Sequence, residues 1–121
     1  MSALVVLGLG LLGGVGAAGR FLLDHAVSRR VGRAFPYGTL AVNLSGALAL
    51  GVLAGAGLSG DAYRLWAIGL IGAFTTFSTW ALESHRLAEE GQAGLGALNF
   101  AVSLGLGVLA VLLGRWIGGA L

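Results

Sequence analysis

The chain has no cysteine, no lysine and few charged residues of any kind. Without cysteine it forms neither a disulfide bond nor a thiolate metal site, so the sequence gives no information about a redox compartment. Only 10% of the 121 residues are charged, whereas a soluble domain carries about 25%. So few charges cannot cover the surface of a globular fold, and the 57% content of hydrophobic residues therefore indicates a membrane protein.

Basic residues are also scattered. All seven are arginine, and they exceed the acidic residues by only two. Proteins that bind nucleic acid concentrate positive charge on one face, so we predict no nucleic-acid partner. His25 and His85 have no ligand partners at metal-site spacing, and the sequence contains no nucleophile–base pattern and no phosphate loop. We therefore predict that the chain is not an enzyme.

Four apolar segments are long enough to cross a bilayer, which takes about 20 residues of helix. They are Ala3–Leu23, Thr39–Leu58, Tyr63–Leu82 and Leu95–Ile117. The first has no basic region before it and further apolar segments after it, so we interpret it as a spanning helix and not as a signal peptide. The sequence predicts an all-α membrane protein in the lipid bilayer, with residues 1–121 forming a single four-helix transmembrane domain.

The arginines near the helix ends favour one orientation only weakly. The loop between the first and second segments and the loop between the third and fourth lie on one side of the membrane, and together they carry Arg29, Arg30, Arg33 and Arg86. The opposite side carries Arg64 and Arg115. Because an excess of basic residues marks cytoplasmic loops, so small a bias is compatible with insertion in both directions. Four short helices also enclose little interior, so we expect a pore to need a second subunit.

Glycine is abundant, with 23 residues spread along the spans. Small residues allow helix backbones to approach closely in lipid. We therefore predict packing faces at the pairs spaced four residues apart, which are Gly10/Gly14, Gly51/Gly55 and Gly114/Gly118.

Neutral polar residues recur at a spacing of four, which places them on one face of a helix. The pairs are Thr39 and Asn43, Thr75 and Thr79, and Asn99 and Ser103, the last extended by Gly107. A buried amide or hydroxyl without a partner costs roughly 2–7 kcal/mol, so these residues serve either interhelical hydrogen bonds or a path for a small solute. Stripes without charge do not fit a proton-coupled carrier.

The third segment contains Gly72–Trp80, with the sequence GAFTTFSTW. Its hydroxyls can bond backbone carbonyls and its glycine tolerates unusual dihedral angles, so we predict a helix break near the membrane midplane. Freed carbonyls are good ligands for a hard cation such as sodium. Phe77 and Trp80 can offer their positive ring edges to an anion. Arg20 either extends toward the membrane interface or attracts an anion to a vestibule.

These motifs resemble those of the Fluc (CrcB) family of fluoride channels. Gly13–Arg20 (GGVGAAGR) is similar to the family's glycine-rich segment that ends in arginine. Pro36–Gly46 (PYGTLAVNLSG) contains the pattern GTLxVNxxG, and Gly72–Trp80 is similar to GGxTTFSTF, with Glu83 following as in the family. The likeness covers essentially the whole chain.

The resemblance implies an antiparallel, dual-topology homodimer in the cell inner (plasma) membrane, with two fluoride pores along the subunit interface. It implies passive export of fluoride from the cytoplasm and a central structural sodium ion, held by the backbone carbonyls of Gly72 and Thr75. Arg20 would lie near a vestibule. Taken with the polar stripes, it predicts these pore residues: Asn43, Phe77, Trp80, Ser103, Thr79, Thr39 and Asn99.

Two positions depart from the family pattern. Trp80 stands where phenylalanine is usual; an indole keeps a ring edge and adds an N–H donor. Asn99 stands where some members have a pore-side tyrosine.

Two alternatives stay open. A small multidrug-type proton-coupled exporter has similar length and helix count, but it needs a membrane-embedded carboxylate, and Ala3–Leu23 contains none. A scaffold without transport activity leaves Asn43 and the predicted break unexplained.

Overall fold

The computed structural model describes all residues from Met1 to Leu121 and consists of helices joined by short connections. Four helical segments are long and apolar enough to cross a membrane. They are span 1 (Ala3–Val31), span 2 (Tyr37–Gly55), span 3 (Gly60–Glu89) and span 4 (Ala93–Gly119). The predicted all-α fold with four spanning helices is confirmed.

Span 1 continues well past its predicted end at Leu23. Its last turn carries Arg29 and Arg30, and positive side chains there interact favourably with the partial negative charge of a helix C-terminus. It ends at Val31, and the next residue, Gly32, has a φ of 79° that is accessible to glycine without steric cost. The residues that follow the predicted end are therefore helical as far as Val31, and Asp24 lies within span 1.

Span 3 is interrupted, as predicted. It consists of a short α-helix (Gly60–Tyr63), a π-helix (Arg64–Ile71), a single turn (Gly72–Phe74) and a second α-helix (Ser78–Glu89). Between the last two, Thr75 has extended dihedral angles, with φ −80° and ψ 161°. The π-helix was not predicted, because the apolar run RLWAIGLI carries no signal that separates it from an α-helix.

Spans 2 and 4 approach each other through glycine. Gly51 and Gly55 lie against the backbone of span 4, and Gly114 and Gly118 lie against the backbone of span 2. A Cβ atom at any of these positions would overlap a carbonyl oxygen of the facing helix. These two predicted packing pairs are confirmed.

The prediction that Gly10 and Gly14 form a packing face is wrong for contacts within the chain. A Cβ atom at Gly10 or Gly14 would have no neighbour within 4 Å. Span 1 instead packs on span 3 through Gly16, which lies against the carbonyl oxygen of Leu70. Only 18 of the 121 residues are buried, so the four spans of one chain enclose little interior, as expected.

The glycine contacts predict which substitutions the fold tolerates. Gly114→Ala puts a methyl group into the backbone of span 2, and forcing extra volume into a packed contact costs about 1–3 kcal/mol. Gly105→Ala is the matched control, because the same helix has open space at that position. We expect a lower thermal unfolding midpoint for Gly114→Ala alone, measured on the detergent-solubilised protein. Equal midpoints for the two variants would contradict the packing described.

Candidate functional site

An open groove of about 530 Å³ runs along the break, between spans 2, 3 and 4. No charged side chain lines it. Six of the predicted site residues do: Asn43, Gly72, Thr75, Phe77, Trp80 and Ser103. The fold therefore brings residues from three helices to one uncharged surface that combines apolar walls with a few polar groups.

The side chain of Asn43 pairs with the backbone of the break. Its Oδ1 accepts the N–H of Thr76 at 2.8 Å, and its Nδ2 donates to the carbonyl of Thr76 at 2.8 Å. Thr76 was not predicted as a partner of Asn43, since the sequence shows that a polar group needs a partner but not which one. Asn43 thus lies where the polar stripe of span 2 meets the break in span 3.

Hydroxyl groups complete the local structure of the break. Thr75 Oγ1 donates to the carbonyl of Ile71 at 3.1 Å, which confirms the predicted bonding of a hydroxyl to the backbone. Thr76 Oγ1 accepts the N–H of Thr79 at 3.2 Å. That contact satisfies a backbone donor in the first turn of the helix Ser78–Glu89, where the N–H groups lack helical partners.

The carbonyls of Gly72 and Thr75 accept no hydrogen bond. A helix would pair them with N–H groups four residues later, but Thr76 donates to Asn43 and Thr79 donates to the Thr76 side chain. Carbonyl oxygens are hard ligands of the kind that alkali and alkaline-earth cations prefer. The residues predicted to hold sodium are therefore chemically suited to it.

An aromatic cluster flanks the groove. Phe77 is 70% exposed, and its ring meets that of Trp80 edge to face, with ring centroids 5.3 Å apart at 79°. Trp80 also stacks on Phe100 at 4.6 Å. Its indole N–H donates to the carbonyl of Asn99 at 3.3 Å, so the additional donor expected from tryptophan is directed at span 4 and not into the groove.

Asn99 is 1% exposed and joins span 4 to span 3. Its Nδ2 donates to Ser84 Oγ at 2.8 Å, and Ser84 Oγ donates to the carbonyl of Trp80 at 2.9 Å. Ser103 Oγ lies 3.4 Å from Asn99 Oδ1, to which it donates. Asn99 does not line the groove; it fixes the helix that carries Trp80, and its predicted place in a pore stays a prediction.

Three other predicted residues, Arg20, Thr39 and Thr79, line a separate cavity of about 250 Å³ that also contains Asp24. Thr39 is buried, and its hydroxyl donates to Glu83 Oε1. These residues are therefore not brought to the groove in a single chain. Their roles in a pore and a vestibule stay predictions.

The family model and the individual relatives that match this chain point to one family. Residues 7–115 match the family model described as CrcB-like protein, Camphor Resistance (CrcB). The chain is 50% identical over 117 residues to a protein of Mycobacterium tuberculosis named fluoride-specific ion channel FluC 2, covering 97% of this chain and 93% of that one. It is 46% identical over 112 residues to the protein of Acidobacterium capsulatum named fluoride-specific ion channel FluC, covering 88% and 89% of the two chains. It is 41% identical over 116 residues to FluC 1 of Symbiobacterium thermophilum, covering 91% and 94%.

The Asn99 contacts generate a prediction about stability. Asn99→Leu keeps the branched shape but removes a buried amide that bonds two side chains. Its bond to Ser84 joins two spans, and such bonds between membrane helices contribute about 0.6–2 kcal/mol. Ser103→Ala is the control, because it removes only the 3.4 Å contact between Ser103 Oγ and Asn99 Oδ1. We expect Asn99→Leu to lower the unfolding midpoint in detergent by clearly more than the control does. The opposite order would show that Asn99 does not join the two spans.

Proposed function

Because the chain belongs to the CrcB family, we propose that it is a fluoride-selective ion channel giving passive export of fluoride from the cytoplasm. The observation that supports this most strongly is the uncharged groove at the break in span 3. The relatives with up to 50% identity are named fluoride-specific ion channels. The prediction that this protein is not an enzyme agrees with that family.

Fluoride is small and strongly hydrated, so a pore has to replace its water with other donors. In our proposal Asn43 supplies one, because a carboxamide nitrogen has two hydrogens and the structure pairs Nδ2 with a single acceptor. Ser103 supplies a hydroxyl, and Phe77 and Trp80 supply ring edges that carry partial positive charge. Neutral dipoles compensate dehydration without holding the anion as firmly as a full positive charge, and larger halides are excluded by the width of the path.

We propose that a second copy of the chain covers the groove. Irregular backbone at membrane depth is stable only when it is buried in protein or lines a cavity, yet Phe77 and Gly72 are exposed in the single chain. An antiparallel homodimer accounts for the weak arginine bias and creates two equivalent pores. The interface is apolar enough for this, since most of the groove lining is hydrophobic.

We propose a structural sodium ion at the centre of such a dimer. The unpaired carbonyls of Gly72 and Thr75 in each subunit would hold it, and the ion would supply a fixed positive charge. It would compensate carbonyl dipoles that neither a helix nor water satisfies at that depth.

Passive export follows from the chemistry of hydrogen fluoride. The neutral acid enters a cell from acidic surroundings and dissociates inside, and the trapped anion leaves down its gradient. The location is the plasma membrane, in agreement with the spanning helices and the bacterial relatives.

One observation favours the alternative of a proton-coupled exporter. Asp24 lies within span 1, although the predicted apolar segment ended before it. Its Oδ1 accepts from Ser28, and it shares its cavity with Arg20. Because no carboxylate lines the groove, the channel is the better account.

The proposal predicts selective and uncoupled transport. Liposomes that contain the purified protein should release fluoride quickly and chloride at least about a hundredfold more slowly, because chloride is too wide and each 1.36 kcal/mol of barrier slows passage tenfold. Efflux should not depend on a proton gradient. Similar release of both halides, or transport driven by a proton gradient, would rule out the proposed function.

A further inference from the structure

The contact between Asn43 and Thr76 replaces hydrogen bonds that a continuous helix would make. In an unbroken span 3 the Thr76 N–H would donate to Gly72, and the Thr76 carbonyl would accept from Trp80. Neither bond is present; the Asn43 side chain takes both places from span 2, with two contacts of 2.8 Å. A carboxamide is suited to this, because it presents one acceptor and one donor side by side.

Both groups of Thr76 need these partners. The residue is only 8% exposed and lies in the middle of a spanning segment, where an unpaired backbone group costs several kcal/mol. No other donor or acceptor contacts its backbone. The short side chain of Asn43 reaches it because Gly46, one turn further along span 2, lies directly against Thr75.

We propose that Asn43 is a positioning residue that holds span 3 in its broken form. By accepting the Thr76 N–H it removes the donor that would otherwise pair with the Gly72 carbonyl, and so leaves that carbonyl free. The same two contacts fix the orientation of the amide, so that its second Nδ2 hydrogen is held in the groove. The freed carbonyl matters for ion binding only if the proposed function is right. The pair of contacts between Asn43 and Thr76, called the clamp below, does not depend on which ion passes.

Hydrogen exchange on the parent protein tests the clamp without any substitution. Thr76 and Phe77 are neighbours in the non-helical break, but the Thr76 N–H is bonded by Asn43 and the Phe77 N–H has no acceptor. We expect the Thr76 amide to exchange at least about a hundredfold more slowly than the Phe77 amide in detergent-solubilised protein, after correction for intrinsic rates. Equal rates would overturn the proposal.

A variant pair separates the clamp from a simple role as an anion donor. Asn43→Leu keeps the branched shape and the number of side-chain heavy atoms but removes both contacts, whereas Ser103→Ala removes a groove hydroxyl that does not touch the break. In Asn43→Leu we expect the exchange of Thr76 or Phe77 to change at least about tenfold. Faster exchange of Thr76 means an open break, and slower exchange of Phe77 means a helix that has re-formed across it. Ser103→Ala should leave both amides unchanged.

Fluoride efflux of the same samples distinguishes the two proposals. If Asn43→Leu loses flux while both amides exchange as in the parent, Asn43 acts only as a donor and the clamp is wrong. If the exchange pattern is as expected but the parent protein carries no fluoride, the clamp stands and the proposed function is wrong. The comparison of Thr76 with Phe77 in the parent protein decides about the clamp even if Asn43→Leu does not fold.

Discussion

The structure depends on one constraint, which is that each backbone N–H or C=O group left unpaired in the hydrocarbon core of a membrane costs several kcal/mol. Span 3 breaks its helix in an apolar segment and so has to pair those groups by other means. It does so with the side chain of Asn43 and the hydroxyl of Thr76. The carbonyls of Gly72 and Thr75, two residues that line the groove, stay without a partner. These unpaired carbonyls are the physical reason for proposing an ion and a second copy of the chain there.

Glycine packing makes the pairing possible. Spans 2 and 4 touch backbone to backbone through Gly51, Gly55, Gly114 and Gly118, and Gly46 lets the middle of span 2 approach the break. A short side chain such as that of asparagine can then reach the main chain of span 3. The fold and the candidate site are therefore one arrangement, since larger residues at the contacts would move Asn43 out of reach.

Much of this was predictable from the sequence. Hydropathy alone locates the four spans, and the concentration of hydroxyls in TTFST predicts the break, because both signals are local. The partners of the polar groups were not predictable. Asn43 pairs with a residue 33 positions away, and Thr39 pairs with Glu83, 44 positions away. Trp80 directs its N–H to Asn99. A periodic pattern identifies the face on which such residues lie, but tertiary packing decides which groups meet.

The central claim is that the uncharged surface at the break is the path of the anion, and one substitution tests it most directly. Phe77→Ile keeps an apolar side chain at the exposed position beside Trp80 but removes the positive ring edge. The account predicts that fluoride efflux falls at least about tenfold, which corresponds to 1.36 kcal/mol of barrier, while the protein still runs as a dimer. Trp80→Phe keeps a ring edge and should still conduct. Parent-like efflux from a folded Phe77→Ile protein would contradict the account and place the pathway elsewhere.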